Sequence, residues 1–165
     1  MSSPIAVCKT EEVDVILLQE TFLTTGTKLK IAGYNAYTTR QIGTDKGLAI
    51  LVRTTIPITR LHNPIPCGDN VETLAVTKER LTLLCGDFNA HHPILSFPST
   101  TSPSGEHIPF ALGELEGVTL LNTEQPTHLR GGRLDLTFAT TAMRHLTRWQ
   151  VHSTLVIDHF VTVTE

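Results

Sequence analysis

The strongest constraint on this chain is a series of short, apolar, β-rich runs separated by turn residues. Residues 13–18 and 47–52 read as buried strands, 73–76 and 81–85 as two more lying close together, and 160–163 as a last one. Leu134-Asp135-Leu136-Thr137-Phe138 alternates with period two, which places its apolar side chains on one face and Asp135 on the other. Helical spacing is confined to residues 107–116, where Ile108, Ala111, Leu112 and Leu115 share a stripe and Gly117 supplies a stop. Residues 93–105 are rich in Ser, Thr and Pro and read as an irregular loop. Many short strands with few helices predict an α+β chain, a two-sheet β-sandwich flanked by helices.

The chain's 165 residues suit one domain, and 40% apolar with 18% charged residues is a globular composition. No apolar run approaches the roughly 18 residues that span a bilayer, and the N-terminus lacks the pattern of a secretory signal. Cys8, Cys67 and Cys85 are scattered and odd in number, the pattern of reduced thiols in an intracellular protein. The net charge of −3 argues against strong nonspecific binding to nucleic acid. Any DNA contact would therefore be weak and local. No obligate protein partner is legible, and no membrane partner is expected.

Gly86-Asp87-Phe88-Asn89 directly follows a predicted strand. In an extended chain Asp87 and Asn89 point to one side, where a carboxylate and an amide can orient a water and hold a phosphate oxygen. The same four residues also suit a plain turn. Glu20 ends an apolar strand and is either a solvated strand-end residue or a ligand for magnesium, which prefers oxygen donors. Asp158-His159 precedes the last strand, and a histidine beside an acid can contact a phosphoryl oxygen or move a proton. Asp135 needs a partner if buried, and a carboxylate that holds an imidazole in one tautomer is a recurring catalytic device. Adjacent His91 and His92 point apart and complete no zinc pattern. Arg130 and Arg133, around Gly131-Gly132, form either a phosphate-contacting rim or a solvated loop.

Together these pieces resemble the endonuclease/exonuclease/phosphatase superfamily, and within it the endonuclease domain of non-LTR (LINE-type) retrotransposons. The matching pieces, in the family's order, are Leu17-Leu18-Gln19-Glu20-Thr21, Lys46-Gly47-Leu48-Ala49-Ile50-Leu51-Val52, Gly86-Asp87-Phe88-Asn89-Ala90-His91-His92, Arg133-Leu134-Asp135-Leu136-Thr137-Phe138 and Asp158-His159-Phe160. Leu120-Leu121-Asn122 and Pro126-Thr127-His128 also match the retrotransposon branch. The resemblance covers residues 13–165, leaving 1–12 as a non-matching segment.

The resemblance implies a deoxyribonuclease I-like sandwich that hydrolyses phosphodiesters with Mg2+, or Mn2+ in its place. Glu20 would hold the cation, with Asp158 in or beside the metal site. Asp87 would orient or deprotonate the attacking water, and Asn89 would position Asp87 and the phosphate. Asp135 would fix His159, which would contact the scissile phosphate. Apart from the resemblance, Arg130 and Arg133 would contact substrate if they form the phosphate-contacting rim. The products on DNA would be a 3′-hydroxyl and a 5′-phosphate, and the 3′-hydroxyl would prime a reverse transcriptase domain of the parent element, acting in the nucleus. A degenerate, inactive domain and a phosphatase of inositol or nucleotide phosphates are the alternatives.

The chain also departs from the family. Its first asparagine is Asn35, after Glu20, where the family opens with an asparagine-bearing strand. Only Val76-Thr77-Lys78-Glu79-Arg80 lies where the family carries a tyrosine segment, and Ile157 stands in place of a serine. An incomplete sandwich, truncated and internally deleted, is therefore expected, with the 73–85 segment closing as a tight hairpin.

Overall fold

The computed structural model describes residues 13–39, 46–61, 71–93, 101–113, 117–156 and 158–164. Segment 1–12, Cys67, residues 94–100, Leu115, Glu116 and Ile157 lie outside these. Among the described residues ten strands and two helices follow in chain order: β1 (Val15–Leu18), β2 (Tyr34–Thr38), β3 (Ala49–Arg53), β4 (Thr59–Arg60), β5 (Glu72–Lys78), β6 (Leu81–Asp87), α1 (Pro103–Gly113), β7 (Val118–Leu120), β8 (Asp135–Thr140), α2 (Thr141–Arg144), β9 (Trp149–Val156) and β10 (His159–Thr164). They form two antiparallel five-stranded sheets, ordered β2-β3-β1-β10-β9 and β4-β5-β6-β8-β7. Among the described residues no helix is long and apolar enough to cross a membrane.

Alternation along the strands builds three apolar layers. Leu17, Ile50 and Val52 of the first sheet meet Leu74, Val76, Leu83, Cys85 and Ala139 of the second between the sheets. Ile16, Leu18, Ala49, Leu51, Val161 and Val163 line the first sheet's outer face, where Leu29 and Ile31 pack. Ala75, Leu84, Leu136 and Phe138 line the second sheet's outer face, covered by Phe88 and by Ile108 and Leu112 of α1. Central strands are thus apolar on both faces and read as near-continuous hydrophobic runs. The Trp149 Nε1–H donates to Thr137 Oγ1 at 3.1 Å and ties β9 to the facing sheet. Cys85 is a buried free thiol, and burial pushes its pKa far up.

Three local features depart from the sequence reading or refine it. The segment read as loop through residue 105 is already helical from Pro103. Ser102 caps that helix, its Oγ accepting the Gly105 N–H at 3.2 Å, and proline suits the first helical position. The β5–β6 pair closes with Lys78 opposite Leu81 across Glu79-Arg80, and Glu79 takes a positive φ of 56°. The strands without a strong sequence signature, β2, β4, β7 and β9, are the four sheet edges. An edge strand is paired on one side only and has less apolar surface to bury.

Candidate active site

Antiparallel pairing brings four strand ends to one pole of the sandwich. The C-terminal end of β1 lies beside the start of β10, with Leu17 opposite Thr162. The end of β6 lies beside the start of β8, with Asp87 opposite Asp135. Glu20, His159, Asp87 and Asp135 therefore sit together although they are far apart in sequence. Glu20, Asp135 and His159 are buried, and Asp87 is half-buried.

The backbone leaves the extended region at this pole. Glu20, Phe22 and Asn89 take φ of 49°, 50° and 38°, values that L-residues rarely adopt and that concentrate at functional sites. The Thr21 N–H donates to Gly47 O at 2.9 Å and the Phe22 N–H to Lys46 O at 2.7 Å, which holds the turn after Glu20. The extended geometry expected across Asp87 and Asn89 is absent. The turn instead lets the Asn89 main-chain N–H donate to Asp87 Oδ1 at 3.1 Å, while Asn89 itself is exposed.

His159 is the hub. Its Nδ1 lies 2.9 and 2.8 Å from Asp135 Oδ1 and Oδ2. Its Nε2 faces Glu20 Oε1 at 3.4 Å and Asp158 Oδ1 at 3.7 Å. Burial lowers the His159 pKa, but the hydrogen bond and charge of Asp135, with the charges of Asp87 and Glu20, outweigh it and the pKa rises. Burial, then the charge of Asp135, pushes Asp87 up to about 6. Burial also raises Asp135, against the hydrogen bond and charge of His159. Burial acts upward on Asp158 as well, but the His128 hydrogen bond and the charge of His159 leave it below the ordinary carboxylate range.

Several contributors were not assigned roles from sequence. The Lys46 ammonium sits on the Glu20 carboxylate. Thr127 Oγ1 accepts the N–H groups of Leu134 and Asp135 at 3.1 and 3.0 Å, fixing the start of β8. Asn122 donates through Nδ2 to Asp135 O at 2.8 Å and accepts the Thr137 N–H at 2.7 Å. His128 Nε2 lies 3.2 Å from Asp158 Oδ2. Asn122 and the Pro126-Thr127-His128 run carry a sequence signal; Lys46 has only its place before Gly47. The Arg130 side chain is exposed, and Arg133 Nη1 donates to Thr123 O at 3.0 Å. His91 is tied through its main chain to Ser102, which caps α1.

The donor set suits a hard cation. Glu20, Asp87 and His159, and separately His128, Asp158 and His159, offer ligand atoms within 4.8 Å of one another. Glu20, Asp87, Asp135 and Asp158 bring carboxylates to this pole, beside Lys46, His128 and His159. Among the described residues Asp158 Oδ1 is buried without a hydrogen-bond partner, a setting in which a cation could take up the oxygen. Carboxylate oxygens with no thiolate fit Mg2+ or Mn2+ better than zinc.

The sequence profile of the Endonuclease/Exonuclease/phosphatase family matches residues 5–160, and the chain belongs to that family. Its members hydrolyse phosphate esters and typically depend on a metal, for which the carboxylate and histidine groups above are candidates. In fold the chain is similar to the endonuclease domain of TRAS1, a telomere-specific non-LTR retrotransposon, at 19% identity and a TM-score of 0.63, covering 97% of this chain and 88% of that one. This likeness places the two five-stranded sheets in the deoxyribonuclease I-like sandwich class. No curated protein matches the chain.

Proposed function

We propose that this chain is a divalent-metal-dependent endonuclease domain of the non-LTR retrotransposon type. It would nick DNA to leave a 3′-hydroxyl and a 5′-phosphate. The observation that carries the reading is the gathering of Glu20, Asp87 and Asp158 around a histidine already held by Asp135.

Glu20 and Asp158, with Asp87 beside them, would hold Mg2+ or Mn2+. The bound cation would polarise the scissile phosphate and neutralise charge on the leaving oxygen. Asp87, held near 6, can orient the attacking water and take its proton near neutral pH. The Asn89 N–H keeps one Asp87 oxygen in place and leaves the other for that water. Asp135 accepts from the Nδ1–H of His159 and favours the imidazolium, whose Nε2–H would point between Glu20 and Asp158, where a phosphoryl oxygen would accept it. The exposed Arg130 and the neighbouring Arg133 would contact the DNA backbone as a local rim. The 3′-hydroxyl would prime a reverse transcriptase domain of the parent element in the nucleus.

Nicking of supercoiled plasmid by the purified chain tests this. Open-circle product that requires Mg2+ and is lost in Asp87→Ala is the expected result. A second reading, an impaired copy, is favoured by the β5–β6 hairpin, whose two-residue turn leaves no room for the family's tyrosine segment. A folded protein that binds Mg2+ without nicking would support that reading and overturn the first.

A further inference from the structure

The segment from Thr127 to Gly132 is built as a brace against the start of β10. The Phe160 N–H donates to Thr127 O and the Leu129 N–H to Asp158 O, both at 2.8 Å, on either side of a bridge between His128 and His159. The loop closes on itself. The N–H groups of Thr127 and His128 both donate to Gly132 O at 2.9 and 3.0 Å, and Gly131, at φ +91°, donates to His128 O at 2.9 Å. The His128 side chain is only 11% exposed, and its ring meets His159 edge-on at 5.0 Å.

Both ring nitrogens of His128 are engaged. The Arg130 main-chain N–H donates to Nδ1 at 3.1 Å. A main-chain N–H can only donate, so Nδ1 keeps its lone pair and the ring proton lies on Nε2. That proton faces Asp158 Oδ2 at 3.2 Å. One Asp158 oxygen is thereby bonded, and the other, Oδ1, is buried with no hydrogen-bond partner among the described residues and lies 3.7 Å from His159 Nε2.

We infer that His128 is a positioning residue: a neutral imidazole, locked as the Nε2–H tautomer by Arg130, that aims Asp158 Oδ1 at the cation-binding cleft. It follows that His128, Asp158 and His159 are not themselves a cation site despite their proximity, because His128 has no free lone pair to offer. Only the metal-affinity part of the test rests on the function proposed above.

Two measurements decide the matter. Nitrogen-15 NMR of the histidine rings in the metal-free protein should show His128 as the Nε2–H tautomer near neutral pH. An Nδ1–H tautomer or an imidazolium there overturns the inference. Calorimetric titration with Mn2+ should then show binding weakened about 10- to 100-fold in His128→Phe, which keeps a ring against His159 but has no donor. His128→Gln, which restores a donor, should recover most of that loss. Wild-type affinity in a folded His128→Phe protein, or no recovery in His128→Gln, also overturns it. Should the wild-type protein bind no Mn2+, the proposed metal dependence fails and the tautomer alone decides for or against His128. Should His128→Phe not fold, the tautomer of the wild-type protein decides.

Discussion

Asp87 and Asp135 are register partners across the β6–β8 ladder, two carboxylates placed side by side at the rim of the inter-sheet layer. Like charges directly opposite on neighbouring strands are destabilising. Burial raises both groups, and for Asp87 the charge of Asp135 adds to it. The fold tolerates the pair because His159 bonds both Asp135 oxygens. Asp87 takes the Asn89 main-chain N–H on Oδ1, and on the proposed function its other oxygen would serve a cation or a water.

Replacing Asp87 should therefore move activity and stability in opposite directions. Asp87→Asn keeps the shape and removes the repulsion. Nicking should fall about 10²- to 10⁴-fold, the usual contribution of a positioned general base. Urea unfolding of the metal-free protein should show a gain of about 1 kcal/mol, the scale of a relieved charge defect. A loss of stability would mean that the two carboxylates do not repel in the folded chain.

The site should make the metal-free protein less stable as pH rises. Asp87 titrates near 6 when folded, above its unfolded value, so it binds a proton more tightly in the native state. Its contribution is fully present below about pH 4 and is lost between about pH 4 and 6. His159 is also raised, so its contribution is present below the ordinary histidine range and lost above it. Asp158 acts in the opposite sense, but only at acid pH, where its lowered carboxyl gains a proton. On the proposed function Mg2+ would bind the ionised carboxylates, and it should raise Tm more near pH 8 than near pH 5.5. At one hundred times Kd the gain is about 2.7 kcal/mol. Thermal melts with and without Mg2+ at the two pH values check this, and an equal gain at both would contradict it.

Asp135→Asn should unhook His159. The imidazole would lose the hydrogen bond and the charge that oppose its burial, so its pKa should fall in an NMR titration. Nicking should drop by about 10⁴-fold, the scale seen when an aspartate that holds a catalytic histidine becomes an amide. An unchanged His159 titration would show that Asp135 does not govern the ring.

Gly86 has no room for a side chain. A Cβ there would collide with the Glu72 carbonyl oxygen and would lie 3.1 Å from the Phe88 ring and 3.2 Å from Thr73 Cγ2. The first contact is main chain within the β5–β6 ladder and cannot rotate away. Gly86→Ala should cost about 1–3 kcal/mol in urea unfolding, as overpacking does, and should weaken nicking by displacing the adjacent Asp87. A stability equal to wild type would show that the ladder opens freely at this point.

The sequence by itself determined the inner framework. The six interior strands, β1, β3, β5, β6, β8 and β10, all announced themselves as apolar runs because each is paired on both sides and packed on both faces. The same runs marked where Glu20, Asp87, Asp135 and His159 fall, at strand ends next to turn residues. The sequence was silent on β2, β4, β7 and β9, whose single pairing relaxes the demand for apolar side chains. Only the tertiary structure decided that the chosen strand ends share one pole, since antiparallel register is a long-range property. It also decided that Asn89 acts on Asp87 through its main chain, that Lys46 sits on Glu20, and that His128 bonds Asp158. Those contacts join residues through turns with positive φ and through a brace between loop and strand, and neither leaves a periodic trace in the chain.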